Sequence, residues 1–95
     1  MANYIEAKDL YKIITKENVQ DAIDLLSEGR HKLINSTKYD LLLSNGNTLP
    51  PKEVMRYTAK IMRYELVEER FAGGQVNRPL KKLGFKIVDK KGNPI

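Results

Sequence analysis

Four basic residues follow a pair of prolines at regular spacing, in the stretch NTLPPKEVMRYTAK and the three residues after it. Proline is tolerated in the first turn of a helix, because its missing N–H would have no partner inside the helix there. If a helix begins at Pro51, one of its faces carries Lys52, Arg56, Lys60 and Arg63. Like charges at this spacing repel each other unless an anion lies opposite. The pattern predicts an anion-binding face; the alternative is a basic face that contacts only solvent.

Catalytic chemistry has few candidates in this sequence. His31 is the single histidine and there is no cysteine, so the sequence predicts neither a metal cluster nor a cofactor. No serine stands in a nucleophile-elbow context, and AGGQVN lacks the Lys-Ser/Thr of a phosphate loop. We therefore predict that the chain is not an enzyme. His31 is expected to be a surface or half-buried residue, or to form a phosphate-contacting loop with Arg30 and Lys32.

Charge is distributed unevenly along the 95 residues, which carry a net charge of +5. Residues 1–29 have a net charge of −3, residues 30–64 of +5, residues 65–70 of −2 and residues 71–95 of +5. Two basic segments separated by an acidic one suggest one face for a polyanion and another for water or a second domain. The alternative is that the lysines only confer solubility.

Length and composition predict one domain with a modest core, since 41% of the residues are hydrophobic. The lack of cysteine excludes a disulfide framework and favours a reducing, cytoplasmic location. No apolar run approaches the roughly 18 residues of a membrane span, and the charged N-terminal stretch does not resemble a signal peptide. We expect no membrane association.

Residues 1–35 are predicted to be helical. A short helix is expected over residues 7–14, followed by a second helix over residues 16–28. Thr15 is the predicted N-cap of the second helix, and Gly29 stands where a terminating glycine belongs. Val19, Ala22, Ile23 and Leu26 follow the spacing of one helix face, so they should be buried.

Residues 36–95 are predicted to hold a hairpin, a helix-turn-helix-like core and a basic wing. Asn45-Gly46 favours a turn between a strand at 38–43 and a short return near 48–49. A helix is expected over 51–64, with a buried stripe of Val54, Thr58, Ile61 and Met62. A short helix over 79–83, a strand over 85–88 and a turn over 90–93 should follow. Pro94-Ile95 would begin a return strand, which suggests a fragment of a longer protein.

This order of elements predicts an α+β, mostly helical fold, similar to a winged helix-turn-helix with a small β-hairpin. KYDLLLSNGNTLPPKEV, followed by FAGGQVNRPLKKLGFKIV, also resembles a DNA-binding module of McrA-type, HNH-associated restriction endonucleases, which includes their sulfur-binding domain. The resemblance covers about residues 36–88. The matching positions are Tyr39, Gly46, Pro50, Pro51, Lys52, Gly73, Gly74, Asn77, Leu83, Gly84 and Phe85.

The resemblance implies non-catalytic binding of duplex DNA, as in the recognition domain of a modification-dependent restriction or defence nuclease. We expect Lys52 and Arg56 on the polar side of their helix, so truncating them should leave the fold intact. Leu49 and Glu53 stand where the family tends to have tyrosine and alanine, and a carboxylate at Glu53 would oppose a phosphorothioate unless it points away. The residues expected to contact DNA are Arg30, His31, Lys38, Pro51, Lys52, Arg56, Gly73, Gly74, Gln75, Asn77, Arg78 and Lys81.

Two other functions fit the same sequence. The chain could be a small protein-interaction adaptor, phage-encoded or regulatory, whose basic face binds an acidic partner. It could also bind RNA, because Tyr39, Tyr57, Tyr64 and Phe71 could stack on bases. Affinity for duplex DNA that falls steeply with salt separates DNA binding from the adaptor.

Overall fold

The computed structural model describes residues 3–36, 38–67 and 73–95. Helix α1 (Ala7–Ile13) and helix α2 (Lys16–Ser27) lie close to their predicted positions. The hydroxyl of Thr15 accepts a hydrogen bond from the backbone N–H of Asn18 at 3.1 Å, and the Asn18 side chain accepts one from the N–H of Thr15. This reciprocal cap fixes the start of α2. Beyond its end, Gly29 adopts the predicted left-handed conformation, with φ of +76°.

The two N-terminal helices supply one side of the hydrophobic core. Leu10 is fully buried on α1, and the four apolar positions predicted on α2 are all buried. These residues belong to the same core cluster as Val54 and Leu80 from later helices. The opposite side of α2 carries the exposed acids Glu17, Asp21 and Asp24, and the exposed Glu28 is its C-cap. The acidic part of the sequence is therefore largely on a solvent-facing surface of α2.

Helix α3 (Pro51–Ile61) begins at the second proline, as predicted, but ends three residues earlier than expected. Arg63 adopts a left-handed conformation with φ of +66°, which ends the helix and turns the chain into strand β4 (Tyr64–Leu66). Strand β4 pairs in parallel with strand β1 (Asn3–Ile5). The predictions contained neither strand, and the helix prediction for residues 62–64 is wrong.

A second sheet has three antiparallel strands, β2 (Tyr39–Leu42), β3 (Thr48–Leu49) and β5 (Lys86–Asp89), in the order β3-β2-β5. The predicted hairpin is present: β2 pairs with β3 around Gly46, whose φ is +88°. Strand β5 pairs along the other edge of β2. The expected return strand at the chain end is a single bridge between Val88 and Pro94.

Helix α4 (Asn77–Lys82) follows a 3₁₀ turn at Gly73–Val76. The helix predicted over residues 79–83 therefore begins two residues earlier and ends one residue earlier than expected, and Asn77 lies inside it. Val76 and Leu80 are fully buried and anchor this segment in the core, while Arg78, Lys81 and Lys82 are exposed. The chain is thus a small, compact α+β fold, as predicted. Within it, β2 and the starts of α3 and α4 present their polar groups together.

Candidate nucleic-acid interface

Two clefts lie between β2, the first turns of α3, and α4. The first cleft has a volume of about 530 Å³, which is in the range of roughly 300–1,000 Å³ typical of ligand sites. Its lining comes from three separated segments of the sequence. The residues of the first cleft are Ile34, Asn35, Ser36, Lys38, Tyr39, Pro50, Pro51, Lys52, Glu53, Arg56 and Asn77.

The second cleft has a volume of about 590 Å³ and adjoins the first, because Tyr39 and Asn77 line both. Its remaining lining comes from α4 and the last residue of the chain. The residues of the second cleft are Tyr39, Asn77, Arg78, Lys81, Lys82 and Ile95. Seven of the twelve residues predicted to contact DNA therefore line this pair of clefts: Lys38, Pro51, Lys52, Arg56, Asn77, Arg78 and Lys81.

Basic side chains dominate the charge of the paired clefts. Among the residues that the structure describes, the two linings contain six lysines and arginines and one acidic side chain, that of Glu53. Clefts lined by one sign of charge concentrate the field and attract ligands of the opposite sign. The exposed acids of α2 line neither cleft. The paired clefts are therefore suited to a polyanion.

The two prolines set the geometry where α3 meets the first cleft. Pro50 is the N-cap, in extended conformation with ψ of 122°, and Pro51 is the first helical residue. Both prolines are buried, and the N–H of Val54 donates to the carbonyl of Pro50 at 3.1 Å. The start of α3, which is the positive end of its dipole, consequently borders the cleft without a side-chain cap.

Arg56 forms an ion pair with Glu53, one turn earlier on α3. Glu53 is buried, with 5% of its surface exposed, and only 20% of the Arg56 side chain is exposed. The expectation that Arg56 lies on an open polar side of α3 is therefore wrong. Its guanidinium borders the first cleft while compensating a buried carboxylate, because a charge is rarely buried without a partner.

Three of the four cations expected on one face of α3 lie within the helix: Lys52, Arg56 and Lys60. Lys60 Nζ lies 4.5 Å from the centre of the Tyr57 ring, an arrangement that favours a cation–π interaction. The ring of half-buried His31 packs against the same tyrosine, with ring centres 5.0 Å apart. Arg63 lies beyond the end of the helix. Only Lys52 and Arg56 of the predicted row line the first cleft.

Three of the other five predicted contact residues lie outside the two clefts. Arg30 is exposed in the connector after α2, His31 packs on Tyr57 as described, and Gln75 is exposed in the 3₁₀ turn. Gly73 and Gly74 begin the same turn, and their contact with DNA stays a prediction.

The connector before β2 contributes lining residues that the sequence did not predict. Ser36 Oγ donates a hydrogen bond to Asp40 Oδ1 at 2.7 Å, and Lys90 Nζ forms an ion pair with Asp40 Oδ2 at 3.0 Å. This network fixes the connector beside β2 and β5. Ile34 lies next to it in the first cleft and is 75% exposed. In the sequence, the one signal for this part of the lining was the large apolar side chain of Ile34 in a mostly polar connector.

Asn77 is the buried polar group that both clefts share. It is 7% exposed, and its Oδ1 has no hydrogen-bond partner within the part of the chain that the structure describes. Buried polar atoms are nearly always paired, so an unpaired acceptor at a cleft calls for an explanation. The side chains that line the clefts with it include the Asn35 amide, Tyr39 and several cations, and none of them pairs with this oxygen in the described structure.

Replacing Asn77 with leucine is expected to stabilise the fold. Leucine has a similar volume and removes a buried acceptor whose desolvation costs about 1–3 kcal/mol when it is left unpaired. We expect a gain in unfolding free energy of about 1 kcal/mol or more, measured by urea denaturation. Asn77→Asp is the matched control and should destabilise, since it buries a charge at the same position. Lower stability of Asn77→Leu would mean that the amide is satisfied in solution.

Across residues 3–36, 38–67 and 73–95 no group of three His, Asp or Glu side chains could hold a metal ion. None of the helices described is long and apolar enough to cross a membrane. Comparison with protein-family models, with curated proteins and with solved structures gives no match for this chain.

Proposed function

We propose that this chain is a non-catalytic module that binds duplex DNA through its paired clefts. The observation that carries the proposal is the convergence of seven predicted DNA-contact residues, from three sequence segments, on two adjoining cationic clefts. Phosphate contacts supply most non-specific affinity for DNA, and cations together with a helix N-terminus suit them. Such a module would act in the cytoplasm, as the recognition part of a restriction or defence nuclease.

We propose that the fold is used in the manner of a winged helix-turn-helix. Helix α3 is followed by β4, the 3₁₀ turn and α4, and β5 with its turn would serve as the wing. Arg78, Lys81 and Lys82 of α4 line the second cleft. In this arrangement α4 is the candidate recognition helix, although six residues make it short.

We propose that the ligand is ordinary phosphodiester DNA rather than phosphorothioate DNA. Leu49, at the position where the resembled family tends to have tyrosine, packs into the hydrophobic core and does not line the first cleft. Glu53 does line the cleft, so the carboxylate lies where a sulfur-reading member tends to have an alanine. Both departures weigh against a small apolar pocket for sulfur.

A protein-interaction adaptor is the second candidate. Ile34 and Ile95 are exposed at the edges of the two clefts, and apolar side chains beside cations are also found at protein interfaces. RNA binding by base stacking has less support, because Tyr39 and Tyr64 belong to different sheets and Tyr57 lies between His31 and Lys60. Phe71, the fourth aromatic considered for stacking, lies outside the described residues.

Two triple variants of equal charge test the DNA proposal. Lys38→Ala/Lys52→Ala/Lys81→Ala removes three cations from the paired clefts. We expect weaker binding of a fluorescent duplex. The slope of log affinity against log salt concentration should also become shallower by about three units, because each lost phosphate contact contributes about 0.9. Fluorescence anisotropy at several salt concentrations gives both quantities.

The control triple variant is Lys8→Ala/Lys12→Ala/Lys16→Ala. It removes the same charge from exposed positions that line neither cleft. Its salt slope should stay within about one unit of the parent's value. Equal losses in the two variants would mean that only net charge matters, and the paired clefts would not be the DNA face.

A further inference from the structure

The first cleft has an inner and an outer lining of different chemistry. Its buried members are Pro50, Pro51, Glu53 and Asn77, and the ring-bearing Tyr39 is half-buried beside them. Its exposed members include Lys38, and Lys52 is half-buried. The polar groups are therefore divided, with the Asn77 amide and the Glu53–Arg56 ion pair inside and the lysines toward solvent.

One inner polar group calls for a hydrogen-bond donor. Asn77 Oδ1 is an acceptor with no partner in the described part of the chain, whereas the Glu53 carboxylate is paired with Arg56. A phosphodiester oxygen only accepts, so it cannot donate to Asn77 Oδ1. The part of DNA that satisfies Asn77 Oδ1 must carry an N–H group, and only the bases do.

The apolar part of the inner lining suits a flat ring. Tyr39, Pro50 and Pro51 offer one aromatic and two saturated ring surfaces, and base–aromatic stacking is a recurrent contact with unpaired bases. The cations Lys38 and Lys52 can then contact the phosphate of the same nucleotide. The inner acceptor matches the N–H edge of a base, the flat walls match its faces, and the outer cations match the phosphate of the same nucleotide.

We propose that the first cleft receives a single unpaired or extruded adenine of the bound DNA. Adenine presents the N6 amino donor beside the N7 acceptor, which is the pair that an asparagine amide recognises. The inference rests on the proposed DNA binding and adds the ligand of the first cleft. Extruding a base costs unpairing energy, and this cost is smallest when the base has no partner.

Three DNA duplexes of one sequence test this inference by fluorescence anisotropy at low salt: fully paired, with a single bulged adenine, and with a bulged abasic nucleotide. The two bulged duplexes have the same charge and similar flexibility, so the difference between their affinities reports the contribution of the base. We expect the adenine bulge to bind at least about tenfold more tightly than the abasic bulge. In Asn77→Leu, which keeps the stacking ring of Tyr39, this ratio should fall by about fivefold, the share of one lost hydrogen bond. Free adenosine monophosphate, titrated in parallel, should bind far more weakly than the adenine bulge.

Each contrary result has a separate meaning. Equal affinity for the adenine and abasic bulges overturns the adenine site while leaving duplex binding intact. An unchanged ratio in Asn77→Leu overturns the role of Asn77, and Tyr39→Ala, which removes the stacking ring, then checks whether the first cleft is involved at all. If adenosine monophosphate binds as tightly as the bulge, the site takes a free nucleotide instead. Failure to bind any duplex overturns the proposed function itself.

Discussion

Replacing Arg56 with alanine is expected to destabilise the fold by about 3–5 kcal/mol, because it leaves a buried carboxylate without its cation. The carboxylate is that of Glu53, which is 5% exposed and paired with the Arg56 guanidinium. Small domains have total stabilities of only about 5–15 kcal/mol, so a large share would be lost. Urea denaturation of parent and variant measures the loss.

A double variant separates the loss of the ion pair from the loss of packing. Glu53→Leu/Arg56→Met replaces both charges with apolar groups of similar volume, and such replacements are often neutral or stabilising. We expect it to recover most of the stability lost in Arg56→Ala. If the free energy of unfolding of Arg56→Ala lies within about 0.5 kcal/mol of the parent's, as for an ordinary surface position, the ion pair does not form in solution.

Affinity for duplex DNA is expected to fall by two to three orders of magnitude between about 50 and 200 mM salt. Five cations of the paired clefts can contact phosphates while Arg56 compensates Glu53: Lys38, Lys52, Arg78, Lys81 and Lys82. Five phosphate contacts correspond to a slope of about −4.5 in log affinity against log salt. A fluorescent duplex titrated at four or more salt concentrations gives this slope.

An acidic polypeptide is the control for this salt dependence. Poly-glutamate carries a comparable density of charge but neither bases nor the spacing of duplex phosphates. We expect it to compete with labelled duplex only weakly at 150 mM salt. If poly-glutamate displaces the duplex when both supply the same concentration of negative charges, the result favours the protein-interaction adaptor. Absence of duplex binding at about 50 mM salt would contradict the proposed function.

Local signals in the sequence were sufficient where one short stretch determines the conformation. The Thr15 cap, the Asn45-Gly46 turn and the start of α3 at Pro51 depend on neighbouring residues, and the structure confirms all three. Burial on α2 followed from its helical periodicity for the same reason. The residues of the paired clefts were partly predicted, because Lys52, Asn77 and Arg78 stand beside prolines or glycines that mark element boundaries.

Contacts between distant segments account for what the sequence did not predict. Strands β1 and β4 are three residues each and pair across some 60 positions, so neither has a periodic signal of its own. The early end of α3 depends on that pairing and on the left-handed conformation of Arg63. Spacing placed Glu53 and Arg56 one turn apart, but their burial follows from packing against the rest of the fold.

Chemical-shift mapping by NMR tests most directly whether the paired clefts are the DNA face. Unlabelled duplex is added to isotope-labelled protein, and the backbone amide resonances of all assigned residues are followed. We predict the largest shifts at Lys38, Tyr39, Lys52, Glu53, Asn77, Arg78 and residues 80–82, with little change at the exposed acids of α2. Shifts centred on α2 or on β1 and β4, with the cleft residues unchanged, would contradict the account.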